Sequence, residues 1–372
     1  MNPRLTSVPI PLILLVLSCH LATAFPQSSL AERIRKDDAD GDGIVTRAEF
    51  KGPPPLFQRL DVNGDGRLSP DEIDAAGKQR PPGASNTGGS GDPFDQTKGA
   101  PPPRKIPVSV ILTRAIAYGS GGGKPLLMDT LKPKEASKPL AAIVFIHGGG
   151  WQSGSREQPL LGQLMTYAEA GFFCASIDYR LTGEAIYPAQ IEDCKAAIRH
   201  LRANAKAYGI DPDRMAVWGS SAGGHLAALV GTTADIAELE GSGGNPGVSS
   251  RVAAVVDWFG PTDLGLSYAG HLSPASPEGK LLGGDFPNDK DRIQRANPIA
   301  YASADDPPFL ILHGDADTVV PPLMGQRLHE ALLAKGVSST YRLFPGEKHG
   351  GFRDPVAGQM TREFLAKVLL GK

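Results

Sequence analysis

Gly219-Ser220-Ser221-Ala222-Gly223 constrains this chain more than any other stretch. The apolar run Met215-Ala216-Val217-Trp218 leads into it, and His225-Leu226-Ala227-Ala228-Leu229-Val230 leads out with the composition of a helix. A buried strand that turns at once into a helix, with serine at the corner, holds that serine in a strained backbone conformation. Bulky residues on either side would collide with the strand or the helix, so the flanking positions must be small. In a chain with 45 glycines a bare G-x-S-x-G also arises by chance. The apolar run before it and the helical run after it set this one apart.

A serine performs acyl transfer only with a base, a group that orients the base, and donors for the oxyanion. Ala141–Ile146 reads as a buried strand and runs into His147-Gly148-Gly149-Gly150-Trp151. Glycines there let backbone N–H groups approach a developing oxyanion that side chains would obstruct. The hole is therefore assigned to the N–H groups of Gly149 and Ala222, with Gly150 as a third donor. A second strand, Phe309–Leu312, is followed by His313-Gly314-Asp315-Ala316-Asp317, which offers two carboxylates. A last strand ends in Gly346-Glu347-Lys348-His349 near the C-terminus. His313 ends a strand, His225 lies in the helix after the serine, and His200, His271 and His329 read as surface or packing residues.

Together these residues resemble the α/β-hydrolase superfamily, within it the esterase/lipase group of hormone-sensitive-lipase-like and acetyl or feruloyl esterases. The matching stretches are His147 to Trp151, Asp178-Tyr179-Arg180-Leu181, Tyr187-Pro188-Ala189-Gln190, Gly219 to Gly223, Asp317 and His349, and the resemblance covers residues 106–372. It implies Ser221 as nucleophile, Asp317 as acid (with Asp315 as the alternative) and His349 as base. These follow one another in the order Ser, Asp, His, with about thirty residues between the last two. His147 precedes the serine and reads as a brace for its loop, and Asp178-Tyr179-Arg180 as a structural turn. The implied fold is α/β: a mostly parallel central sheet with helices on both faces, opened by an antiparallel hairpin region (108–131). The expected strands are 141–146, 172–177, 215–218, 252–258, 308–312 and 339–344. A helix over 190–208 carries Ile191, Cys194, Ile198 and Leu201 on one face.

Two stretches ahead of this part fit the loop template D-x-[DN]-x-[DN]-G-x5-E, the mark of an EF-hand pair. In the first, Asp38, Asp40, Asp42, Ile44 (through its carbonyl), Thr46 and Glu49 are the calcium ligands. In the second they are Asp61, Asn63, Asp65, Arg67 (carbonyl), Ser69 and Glu72. Gly43 and Gly66 allow the sharp turn, and Val45 and Leu68 are placed to pair the loops across a short ladder. A helix over 29–36 precedes them, and Phe50, Leu56, Phe57 and Leu60 form a small core. So small a unit buries little, so its two calcium ions carry much of its stability as a structural clip.

Residues 1–24 read as a secretory signal, with Arg4, an apolar stretch from Val8 to Leu17, and the small-x-small site Ala22-Thr23-Ala24. The apolar stretch is shorter than the roughly 20 residues of a membrane span. Cys19 offers a competing lipoprotein reading, but secretion or periplasmic export is the expectation. The EF-hand pair then occupies 25–76, a Pro/Gly/Ser-rich linker 77–105, and the hydrolase domain 106–372. Net charge is −2 with no basic run, so no nucleic-acid partner is expected. Cys174 and Cys194 read as core residues, and a disulfide between them is left open.

The resulting expectation is a secreted serine carboxylesterase for short acyl esters, acetyl or feruloyl groups on polysaccharides among them, needing no organic cofactor. A segment from Leu264 to Tyr301, with Leu272, Leu281, Leu282 and Phe286, is placed to shape the acyl pocket. The alternatives are a prolyl-oligopeptidase-like peptidase, which shares the triad order but carries a propeller, and a non-catalytic calcium-dependent scaffold.

Overall fold

The structure is a computed structural model that describes residues 34–52, 57, 60, 66–70, 72–73, 106–157, 160–234, 236–266, 271, 273–284 and 288–372. The signal, Cys19, the linker and the ligands Asp61, Asn63 and Asp65 lie outside the described residues, as do Leu56, Leu272, Phe286 and most of the helix expected over 29–36. Contacts divide the chain into two units, Met1–Ser90 and Gly91–Lys372.

In the first unit, β1 (Val45–Thr46) pairs antiparallel with β2 (Arg67–Leu68) in the register Val45↔Leu68. Both side chains are fully buried, with Ile34, Phe50, Phe57, Leu60 and Ile73 around them.

In the second unit, β3 (Val110–Gly121) and β4 (Lys124–Pro133) form a hairpin. Gly122 and Gly123 join them at φ 58° and 79°, the left-handed pair that a two-residue turn between twisted strands requires. The chain continues through β5 (Leu140–Ile146), helix α1 (Met165–Glu169), β6 (Phe173–Ile177), α2 (Ala189–Ala203) and α3 (Ala205–Tyr208). Then come β7 (Ile210–Ser220), α4 (Ala222–Thr232), β8 (Ala254–Trp258), α5 (Pro277–Leu282) and α6 (Lys290–Arg295). Last are β9 (Phe309–Gly314), α7 (Leu323–Ala334), β10 (Ser339–Phe344) and α8 (Pro355–Leu370). Among the described residues the sheet has eight strands in the order β10-β9-β8-β7-β5-β6-β4-β3. Only the β3–β4 and β4–β6 pairs are antiparallel.

Alternation along the strands builds two core layers. Ala142, Val144 and Ile146 of β5 pack with α2, α4 and α7 on one face. Ala141, Ile143 and Phe145 pack with α1 and α8 on the other. Cys174 belongs to the second layer and Cys194 to the first, with the sheet between them, and both are free thiols.

Two expectations shift in detail. The helix expected over 190–208 is two pieces. Asn204, at φ −108° and ψ 20°, leaves helical geometry, and its side-chain Nδ2 donates to His200 O (2.8 Å), which already accepts from its own N–H (3.1 Å). The strand expected over 215–218 starts at Ile210, because Ile210 pairs with Leu140 of β5 and, after an irregularity in the register, Met215 pairs with Ala142. No helix among the described residues is long and apolar enough to cross a membrane.

β5 is the switch point of the sheet. The chain runs from it to β6 on one side and returns to β7 on the other, so the loops after β5 and β7 diverge around a crevice at the strands' C-terminal ends, where α/β sheets hold ligands.

Candidate active site

Ser221 stands at that crevice between β7 and α4, with φ 54° and ψ −124°. Its N–H donates to Trp258 O (2.9 Å) and its carbonyl accepts from His225 N (3.1 Å), so β8 and the first turn of α4 hold the strained backbone from both sides. A Cβ on Gly223 would lie 2.1 Å from Ile146 O, and one on Gly219 would lie 2.0 Å from Gly223 O. Only glycine lets α4 rise this close to β5 and β7.

The loops after β9 and β10 bring Asp317 and His349 to the serine. His349 Nε2 is 2.8 Å from Ser221 Oγ, and His349 Nδ1 is 2.7 Å from Asp317 Oδ2. Asp317 Oδ1 accepts from the N–H groups of Val319 and Val320, both at 2.9 Å. Burial alone would raise the Asp317 pKa, but hydrogen bonds from His313 and His349 and the Val320 N–H outweigh it and hold the carboxyl well below its ordinary range. An ionised Asp317 requires the proton on His349 Nδ1, which leaves Nε2 free to accept from the serine hydroxyl. The other carboxylate, Asp315, accepts from Gly346 N (2.7 Å) at the base of the histidine loop and not from His349.

Gly149, Gly150 and Trp151 all have positive φ (108°, 57° and 56°) in the turn after β5. Gln152 N and Ser153 N both donate to Gly149 O (3.0 and 3.1 Å) and tighten that turn. The N–H groups of Gly149, Gly150 and Ala222 have no backbone acceptor among the described residues. They are donors without a backbone partner beside the serine, the state in which an oxyanion finds them. His147 braces this loop: its ring stacks on Tyr179 (4.3 Å), its Nδ1 donates to Gly148 O (2.7 Å), and burial lowers its pKa.

Several supporting residues carry no sequence signal, because their partners are distant in the chain. Arg156 donates to the wholly buried Asp129 (2.8 Å) and, through its backbone N–H, to Asp178 (2.7 Å), fixing the far end of the oxyanion loop. Glu347 accepts from the N–H groups of Arg353 and Asp354 (3.1 and 3.0 Å), and its carbonyl accepts from Ala316 N (3.1 Å). It thus closes the loop that carries His349 and ties it to the Asp317 turn. Phe259 lies edge-on to the His349 ring at 4.9 Å. The 264–301 segment docks beside the oxyanion loop: Lys280 Nζ donates to Gln152 Oε1 (2.5 Å), and His225, edge-on to Trp151, donates to Ala296 O (2.7 Å).

In the N-terminal unit, carboxylate oxygens of Asp38, Asp40 and Asp42 lie within 4.8 Å of one another. Asp38 caps Gly41 N and Gly43 N (2.8 and 3.0 Å), and Gly43 has φ 85°. Glu49 folds back so that its two oxygens reach Thr46 N (2.9 Å) and Ala39 N (3.2 Å). In the second loop Glu72 meets Ser69 N and Oγ in the same way (2.9 and 2.8 Å). A hard oxygen-only donor set on a loop already closed by its twelfth residue fits calcium.

An elbow serine, its histidine and aspartate on later strands, and a parallel sheet with a switch point define an α/β-hydrolase. The chain belongs to the BD-FAE family, whose profile matches residues 128–332, and an EF-hand profile matches residues 55–75. Among solved structures it is similar to a truncated form of a carbohydrate esterase from gut microbiota, at 33% identity and a TM-score of 0.65 over 70% of this chain and 96% of that one. It is also similar to the Thermogutta terrifontis esterase Est2, at 28% identity and a TM-score of 0.58 over 72% and 94%. Esterase LipQ of Mycobacterium tuberculosis is 32% identical over 64% of this chain and 56% of its own length. The chain spans about half the length of the curated mycobacterial relatives it matches.

Proposed function

We propose that the protein is a secreted serine carboxylesterase that removes short acyl groups, acetyl or feruloyl esters of polysaccharides, with two structural calcium ions in its N-terminal unit. The unbroken chain Asp317–His349–Ser221, at 2.7 and 2.8 Å, carries this reading. Ser221 Oγ attacks the ester carbonyl while His349 Nε2 takes its proton, and Asp317 stabilises the imidazolium that forms. The N–H groups of Gly149, Gly150 and Ala222 receive the oxyanion. His349 then returns the proton to the leaving alcohol, and water, activated by the same histidine, hydrolyses the acyl-enzyme. Every step is proton transfer, addition to the carbonyl, or collapse of the tetrahedral intermediate that expels first the alcohol and then Ser221 Oγ, for which no organic cofactor is required. The leader at 1–24 supports export, and the likeness to a carbohydrate esterase supports a polysaccharide ester over a free lipid.

The test is hydrolysis of p-nitrophenyl acetate and of acetylated and feruloylated xylan by the mature protein beside Ser221→Ala. The variant should lose several orders of magnitude in kcat, about 10^4-fold or more. Equal turnover by both proteins would overturn the mechanism. Cleavage of peptide anilides without ester turnover would overturn the substrate class.

A further inference from the structure

Asp317 Oδ2 touches two imidazoles. His349 Nδ1 stands at 2.7 Å, and on the other side His313 Nε2 stands at 3.3 Å, with both His313 and Asp317 side chains closed off from solvent. His313 ends β9, four residues before the aspartate, and its Nε2 also lies 2.9 Å from Val320 O. Both neighbours of that nitrogen are acceptors, so Nε2 carries the ring proton and shares it between the Val320 carbonyl and the Asp317 carboxylate. Nδ1 is the bare nitrogen, buried and without a hydrogen-bond partner. Neighbouring strands set the charged surroundings. Asp257 of β8 interacts electrostatically with His313, and one of its own oxygens, Oδ2, is buried without a partner. Tyr341 of β10 packs with His313 about Gly325 and donates its hydroxyl to Pro322 O (2.8 Å).

Resting on the triad reading above, we infer that His313 is a positioning residue for the reaction: its Nε2–H holds the outer lone pair of Asp317 Oδ2, so that the oxygen's remaining lone pair faces His349 Nδ1. Asp317 then has no freedom to turn. Oδ1 is fixed by Val319 N and Val320 N, and Oδ2 by one imidazole on each side. The His349 ring inherits that orientation and directs Nε2 at Ser221. Without His313, one donor to a buried carboxylate disappears, and the aspartate rotates or draws in water. The cost falls on the rate of proton transfer, not on substrate binding, because His313 is buried below the triad.

The discriminating pair is His313→Gln and His313→Asn. The glutamine amide nitrogen reaches the place of Nε2, whereas the asparagine amide stops at the place of Nδ1. Kinetics on p-nitrophenyl acetate should show kcat within about threefold of wild type for the glutamine variant. The asparagine variant should fall by about 10- to 100-fold in kcat with KM unchanged, the size of one lost hydrogen bond to a charged group. The low-field proton NMR signal of the His349 Nδ1–H should keep its position in His313→Gln and move in His313→Asn. Overturning results are an asparagine variant with wild-type kcat, or the two variants lowered equally. A loss that appears in KM, or an NMR signal unmoved in both, would do the same. Ser221→Ala and Asp317→Asn run alongside: if either keeps wild-type activity the triad reading itself fails, whereas full loss in both with His313→Asn unaffected sinks only the role of His313.

Discussion

At the scale of single residues, the site is limited by how closely backbone and side chains approach one another. Gly223 is the sharpest case, because any Cβ would meet Ile146 O at 2.1 Å and His147 O at 2.6 Å. Gly223→Ala should therefore push α4 off β5, costing about 1–3 kcal/mol in stability and most of the esterase activity. Thermal melting beside ester turnover checks this, and an alanine protein with wild-type values of both would refute it. Asp257 makes a different prediction. Burial pushes its pKa up to about 6 from an ordinary 3.8, while one oxygen accepts from Gly260 N at 2.8 Å. The folded protein keeps this proton longer than the unfolded chain does. The resulting stabilisation is complete below about pH 4 and is lost as pH rises through 6. Asp257→Asn keeps an acceptor for Gly260 N and cannot ionise. Its stability relative to wild type should thus be least favourable at pH 4 and rise to a plateau above pH 6, by up to about 3 kcal/mol. Chemical denaturation across pH 4–7 measures the difference, and a gap that does not change with pH would exclude a buried titrating Asp257.

At the scale of elements, a buried polar side chain closes the loop that carries His349. Glu347 is 6% exposed and binds two backbone N–H groups of the loop that carries His349. Glu347→Ala should lower kcat by roughly tenfold to a hundredfold by letting the base wander, while Glu347→Gln, which keeps an acceptor, should recover most of the loss. Equal defects in both variants would argue against loop closure as the cause. The helix that follows is built from local signals: Asp354 caps Val356 N at 2.9 Å and Pro355 occupies the first turn. The elbow, the glycine turn and the paired acidic loops with Val45 opposite Leu68 were legible beforehand. Glu347, Arg156 and His313 were not legible, because nothing near them in the chain shows which backbone groups they will meet. His313 read as the end of a strand, and only the fold sets its ring against Asp317.

At the scale of the whole molecule, the chain divides into two units with different sources of stability. The hydrolase unit has two large core layers, whereas the core residues described for the N-terminal unit are seven: Ile34, Val45, Phe50, Phe57, Leu60, Leu68 and Ile73. Three aspartates clustered beside so small a core repel one another, a cost that the calcium proposed above would offset. Calcium removal by EDTA should abolish a separate low-temperature unfolding transition in calorimetry and leave the main transition in place. p-Nitrophenyl acetate turnover should persist, since calcium has no part in the chemistry proposed. Loss of turnover on chelation, restored by calcium, would show that the metal supports the hydrolase unit.

The sequence by itself determined the class of fold, the order of Ser221, Asp317 and His349 along the chain, and the spacing of the two acidic loops. These are written in residues close together in the chain, where steric demands and ligand spacing leave few choices. Only the tertiary structure decided which of two neighbouring aspartates meets His349. It also decided that the two buried thiols lie in separate core layers and that a second imidazole, that of His313, stands 3.3 Å from Asp317. Those outcomes depend on register between strands and on which face of the sheet each side chain enters, and a period-2 alternation fixes that only once the strands have paired.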